Sequence, residues 1–101
     1  MKIPNKIKVG GHTYKIFIVD GENQKKGGNN WGKTFHHQKE IYIDKTAIIS
    51  QQEQTFIHEI LHCVDKVYNG DEIGNDDKGE ALICRLSEGL YQILNDNNLL
   101  K

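Results

Sequence analysis

The hydrophobic pattern of this 101-residue chain changes period once, and that change limits what it can fold into. Residues 6–9 and 12–19 alternate apolar with polar positions and are rich in β-branched side chains (Ile7, Val9, Ile16, Ile18). The same alternation returns at residues 39–44, where Ile41 and Ile43 fall on one side and Glu40, Tyr42 and Asp44 on the other. From Ser50 onward the spacing is helical, with Phe56, Ile57, Ile60, Leu61, Val64, Val67 and Tyr68 recurring every three or four positions. Strands in the first half and helices in the second predict an α+β fold: a small, mostly antiparallel sheet of three or four strands packed on two helices.

Turn and cap residues divide the pattern further. Gly10-Gly11 suits a two-residue hairpin turn, and the wholly polar stretch Gly21 to Asn30 reads as a mobile surface loop. A short strand, Trp31 to Phe35, is expected next, then a turn at His36-His37-Gln38 and the strand 39–44, which we place at a sheet edge. Ser50-Gln51-Gln52-Glu53 has the form of a capping box opening a helix that ends near Asn69-Gly70. After an acidic, glycine-containing loop, a second helix runs from about Asp77 to Asn95, with Ile83, Leu86, Leu90, Ile93 and Leu94 as its core-facing stripe. No repeat, linker or second domain is evident, so residues 1–101 read as one domain.

Composition excludes several classes of function. No apolar run approaches the roughly 20 residues of a membrane span, and the opening MKIPNKIKVGG lacks the apolar region and cleavage site of a secretory signal. Cys63 and Cys84 are too few for a disulfide framework and lie on apolar helix faces, which predicts small reduced core residues and a cytoplasmic setting. Charge is polarised along the chain: residues 1–50 hold nine lysines against four carboxylates, residues 51–101 four basic groups against ten acidic ones. The lysines are scattered over strands and a loop rather than gathered into a nucleic-acid motif, so they read as a solvated face.

The chemistry concentrates in His58-Glu59-Ile60-Leu61-His62. Histidines four apart lie on one helical face, one turn above the other, so both imidazoles can reach a single metal ion. Glu59 is rotated about 100° from His58, out of the chelate but within reach of a metal-activated water, the division of labour of two ligands and a general base. Five histidines and seven glutamates in this length would produce the spacing by chance about one or two times in a hundred. The uncharged flanks Phe56, Ile57, Ile60, Leu61, Cys63 and Val64 place it on a buried helix instead. A catalytic zinc needs a third protein ligand, and no histidine follows His62. Among the acidic residues, Glu80 falls about 60° from Ile83 on the second helix and borders its buried face, whereas Glu88, at about 140°, points away. Glu80 is therefore the chosen ligand, with Asp76, Asp77 and Glu72 as alternatives and a first-turn capping role for Glu80 as the rival reading. Asp65 is placed to orient a ligand histidine, Ser87 and Tyr91 to border the cleft or edge the core, and His36 and His37 to steady a substrate carbonyl or simply form a polar turn.

The stretch Thr55 to Asp65, TFIHEILHCVD, following a β-rich half that ends in Glu40-Ile41-Tyr42-Ile43-Asp44, resembles the small zincin metallopeptidases, in particular the phage and prophage proteins related to the ImmA/IrrE group. Gly89 to Leu94 is similar to the C-terminal helix of the short phage members. The resemblance implies a minimal zincin-like fold, zinc held by His58, His62 and Glu80, and Glu59 as the base in peptide-bond hydrolysis. It also implies a protein or peptide substrate, a bacterial host cytoplasm, and a monomer or small oligomer with no membrane or nucleic-acid partner. The alternative is a phage-encoded binding protein that keeps the scaffold without cleaving.

Overall fold

The computed structural model describes residues 1–20 and 31–100; the loop expected at 21–30 lies outside them. Four strands, β1 (Lys6–Val9), β2 (His12–Val19), β3 (Gly32–Phe35) and β4 (Glu40–Asp44), precede two helices, α1 (Ile49–Tyr68) and α2 (Asp77–Asp96). Gly10 and Gly11, at φ of 62° and 136°, make the first hairpin turn, and Lys39, at φ of 61°, closes the second. Both hairpins are antiparallel, and they are joined by a parallel pairing of β2 with β4 that sets Ile16 beside Ile41 and Ile18 beside Ile43. The sheet order is β1-β2-β4-β3.

This is the α+β architecture the periodicity predicts, with one correction to the sheet. The 39–44 strand is interior, and β3 is the edge beyond it. The reason is apolar content: Ile41 and Ile43 are wholly buried, whereas Gly-Lys-Thr-Phe offers little to bury and tolerates having, among the described residues, a strand on one side only.

One face of the sheet supplies Val9, Tyr14, Ile16, Ile41 and Ile43 to the core, and α1 closes it with Phe56 and Cys63. On the opposite face Phe17 stacks on Tyr42 at 5.0 Å, and Phe35 meets the same ring edge-on at 5.6 Å. Cys63 is a buried core residue, as expected, and Cys84 is half-buried; neither forms a disulfide.

The start of α1 departs from the predicted capping box. Ile48 is the cap residue and makes no side-chain bond, and Ser50 already lies inside the helix. Glu53 is occupied elsewhere, accepting from the Tyr91 hydroxyl at 2.6 Å and lying 3.4 Å from the Met1 ammonium. Gln52 ties down this end instead, donating to the carbonyls of Lys45 and Ala47 at 3.2 and 2.9 Å.

The second helix packs principally on α1, and its buried face is not the predicted stripe. Ile83 and Ser87 are buried, whereas Leu86, Leu90 and Ile93 are exposed at 49%, 39% and 51%. A helix with one main neighbour needs only a narrow contact face, and here that face runs through Ile83, Ser87 and Tyr91, turned from the apolar stripe by roughly 80°. Glu80 falls inside this arc. No helix among the described residues is long and apolar enough to cross a membrane.

Asp65, only 3% exposed, sets the return of the chain from α1 to α2. Its carboxylate accepts from Asn69 Nδ2 at 2.9 Å and from the backbone N–H groups of Ile73 and Gly74 at 3.0 and 2.9 Å. Burial alone would raise its pKa, but these bonds and nearby His62 hold the carboxyl below the usual range. Gly79, in the first turn of α2, then seats against this loop so closely that a Cβ there would collide with the Ile73 carbonyl oxygen. Asp65→Ala is expected to destabilise the fold by about 2 to 3 kcal/mol through the orphaned loop amides, read as a lower urea midpoint. The wild-type advantage should fade as pH falls through the carboxylate range, because a depressed pKa stabilises only while the group is ionised.

Candidate metal centre

His58 and His62 stand on successive turns of α1 with ring centroids 5.0 Å apart. Both turn Nε2 toward Glu80 on α2: His58 Nε2 lies 3.2 and 3.3 Å from the two carboxylate oxygens, and His62 Nε2 lies 2.6 Å from Oε1. One donor atom from each residue falls within 4.8 Å of the others. Ligands about 2 Å from a tetrahedral ion lie about 3.3 Å from one another, so two imidazole nitrogens and a carboxylate at these spacings form a donor set that fits a zinc-like ion.

The helix ends put Glu80 there. Asp76 caps α2 by accepting from Gly79 N at 2.8 Å, so the predicted rival, a capping role for Glu80, does not arise. Burial acts to raise the Glu80 pKa, but the charges and hydrogen bonds of His62 and His58 outweigh it and hold the carboxyl below its ordinary value. This carboxyl is the acceptor that the two rings share.

Glu59 lies beside this cluster without joining it, and it is only 5% exposed. Thr34 Oγ1 on β3 donates to Glu59 Oε1 at 2.6 Å. Gly32, two residues earlier on the strand, leaves room for the other oxygen: a Cβ there would lie 3.1 Å from Glu59 Oε2 and would collide with the Thr55 methyl. Burial pushes the Glu59 pKa up to about 7, opposed by the Thr34 hydrogen bond and His58. A cavity of about 410 Å³ between β3 and α1 opens onto Thr34, His36, Glu59, His62, Lys66 and Glu80. On the far side of Gly32 a second hollow of about 350 Å³ is walled by Trp31, Gln54, Thr55, His58, Cys84 and Glu88.

Other residues singled out in the sequence are placed differently. Asp65 secures the loop rather than orienting a histidine. Ser87 donates to the Cys84 carbonyl and Tyr91 to Glu53, so both belong to the helix contact. Asp77 lines the cavity without entering the cluster, Asp76 is the helix cap, and the cluster also leaves out Glu72. His36 borders the cavity and bonds the Tyr14 hydroxyl through Nδ1 at 3.2 Å, while His37 is exposed. Thr34 and Lys66 were not anticipated. The two-residue alternation from Gly32 and the four-residue step from His62 would have pointed to them.

Comparison with protein-family models, curated proteins and solved structures returns no match.

Charging Glu59 inside the protein has a measurable consequence for the metal-free chain. Between its ordinary value of 4.5 and about 7, the folded protein keeps a proton that the unfolded chain has released. Stability should therefore fall as pH rises across that window, by on the order of 3 kcal/mol from this group. Glu59→Gln, which retains an acceptor for Thr34, should remove that slope. Urea midpoints of the two proteins in chelator, taken from pH 4.5 to 8, should separate steadily in favour of the variant.

Proposed function

We propose that this protein is a zinc-dependent metallopeptidase. The observation that carries the reading is the convergence of His58, His62 and Glu80 next to a buried carboxylate, Glu59, which is held apart from them by Thr34. Two imidazoles and one carboxylate leave a fourth position open, the composition of a catalytic rather than a closed structural site. Bound there, zinc supplies Lewis-acid polarisation of a peptide carbonyl and acidifies water.

The remaining work falls to the chain's own residues. Glu59 receives the proton of the attacking water and returns it to the departing amine nitrogen. Thr34 fixes Oε1, so proton transfer is directed to Oε2, on the Gly32 side. The low exposure of Glu59 excludes bulk water and strengthens each interaction made there. Strand β3 borders the cavity through Gly32, Lys33 and Thr34 and, as the last strand of the sheet among the described residues, aligns an extended protein or peptide substrate by adding it as a further strand. The free thiols Cys63 and Cys84 fit a reducing compartment, and the bacterial cytoplasm, reached through a phage or prophage gene, is the proposed setting.

Elemental analysis of the purified protein tests the site, and a peptide digest tests the activity. Wild type should hold about one equivalent of zinc, and His62→Ala and Glu80→Ala should hold little. Glu59→Gln should keep the metal and lose peptide cleavage by a factor of about 100 or more. Zinc-loaded wild type that cleaves no peptide would favour a binding protein on the same scaffold. Failure to take up zinc at all would remove the metallopeptidase reading.

A further inference from the structure

The catalytic cavity continues into a third hollow of about 430 Å³, with which it shares His36 and Lys66. Its other walls among the described residues are His12, Tyr14, His37, Lys39 and Val67, so these give it two lysines and three histidines and no carboxylate. The opposite end of the same trough carries Glu59, Glu80 and Glu88. A chain lying along β3 and α1 therefore passes from an acidic end to a basic one.

The two ammonium groups are only lightly committed. Lys39 Nζ donates at 2.8 Å to the His36 carbonyl, a neutral partner that leaves its charge uncompensated. Lys66 Nζ lies 3.5 Å from Asp71 Oδ2, but both side chains are about half exposed, and such a pair yields readily to a competing anion. Lys66 is also one helical turn beyond His62, a rise of about 6 Å, or roughly two residues of extended peptide.

We infer that this basic hollow binds a carboxylate of the substrate, so that the preferred peptides carry one about two residues from the bond held beside His62. The inference rests on the peptidase reading for the identity of the ligand. The carboxylate has two sources, the C-terminus of the peptide or an Asp or Glu side chain, and the hollow's donors suit both.

The test uses fluorescently labelled peptide pools of mixed sequence, made with a free C-terminus or a C-terminal amide, each with and without Asp and Glu. Binding is measured to zinc-loaded Glu59→Gln protein, and cleavage is followed with wild type. Pools bearing a carboxylate should bind about tenfold more tightly than the amidated pool lacking Asp and Glu. The difference should narrow in high salt. It should be lost in Glu59→Gln protein that also carries Lys39→Gln and Lys66→Gln, and be largely kept with Lys66→Arg alone, which preserves the charge. Tight binding of the amidated Asp/Glu pool identifies a side-chain carboxylate; tight binding confined to free acids identifies the C-terminus. Equal affinity for all four pools, or a preference untouched by the lysine substitutions in protein with an unchanged circular dichroism spectrum, overturns the inference. Carboxylate-selective binding without cleavage by wild type would leave the hollow standing and sink the peptidase reading.

Discussion

Everything around the cluster depends on how tightly the chain is brought back after α1. Asp65 gathers three donors from the following residues, two of them backbone N–H groups that would otherwise need water. The loop so formed receives Gly79 against its carbonyls, and the next residue is Glu80. A carboxylate on one helix thus meets two imidazoles on another through a short relay of hydrogen bonds and close backbone contact. The helix–helix packing is itself partly polar: beside the buried Ile83, its face carries the buried Ser87 and a tyrosine bonded to a glutamate.

The two carboxylates near the histidines are driven in opposite directions by their surroundings. Glu80 faces both rings and is held ionised, whereas Glu59, enclosed by β3 and α1, is pushed up to about 7. The metal ligand and proton carrier proposed for these two residues need such opposite tuning, the pattern by which acid–base roles are separated on one scaffold. The strand contributes as much as the helix here. Thr34 supplies the hydrogen bond, and Gly32 the space.

Fold class was legible because the chain's periodicities are clean: alternation to residue 44, then three- and four-residue steps. His58, Glu59 and His62 were legible for the same reason, as positions on one helix. Glu80 was reachable by helical-wheel arithmetic, but only in part, because the stripe of Leu86, Leu90 and Ile93 suggested a buried face that α2 does not use. Periodicity reports where apolar residues lie, not which of them find a partner. Sheet order was illegible for a related reason: the parallel union of β2 with β4 joins two hairpins across a long connection, and local turn signals carry no information about it. The capping box failed because Glu53 is drawn to Tyr91, 38 residues away.

The open side of β3 also bears on how the protein keeps apart from copies of itself. Among the described residues this strand has a sheet neighbour on one side only, and unpaired strand edges template aggregation. A trough that receives an extended chain, as proposed for this one, cannot cover that edge permanently. The sequence limits the hazard differently: the strand is four residues long, begins with a glycine, and carries Lys33. On the proposed reading, such an edge would hold one peptide in register while being too short to seed a continuous sheet, so strand length would separate substrate capture from self-assembly.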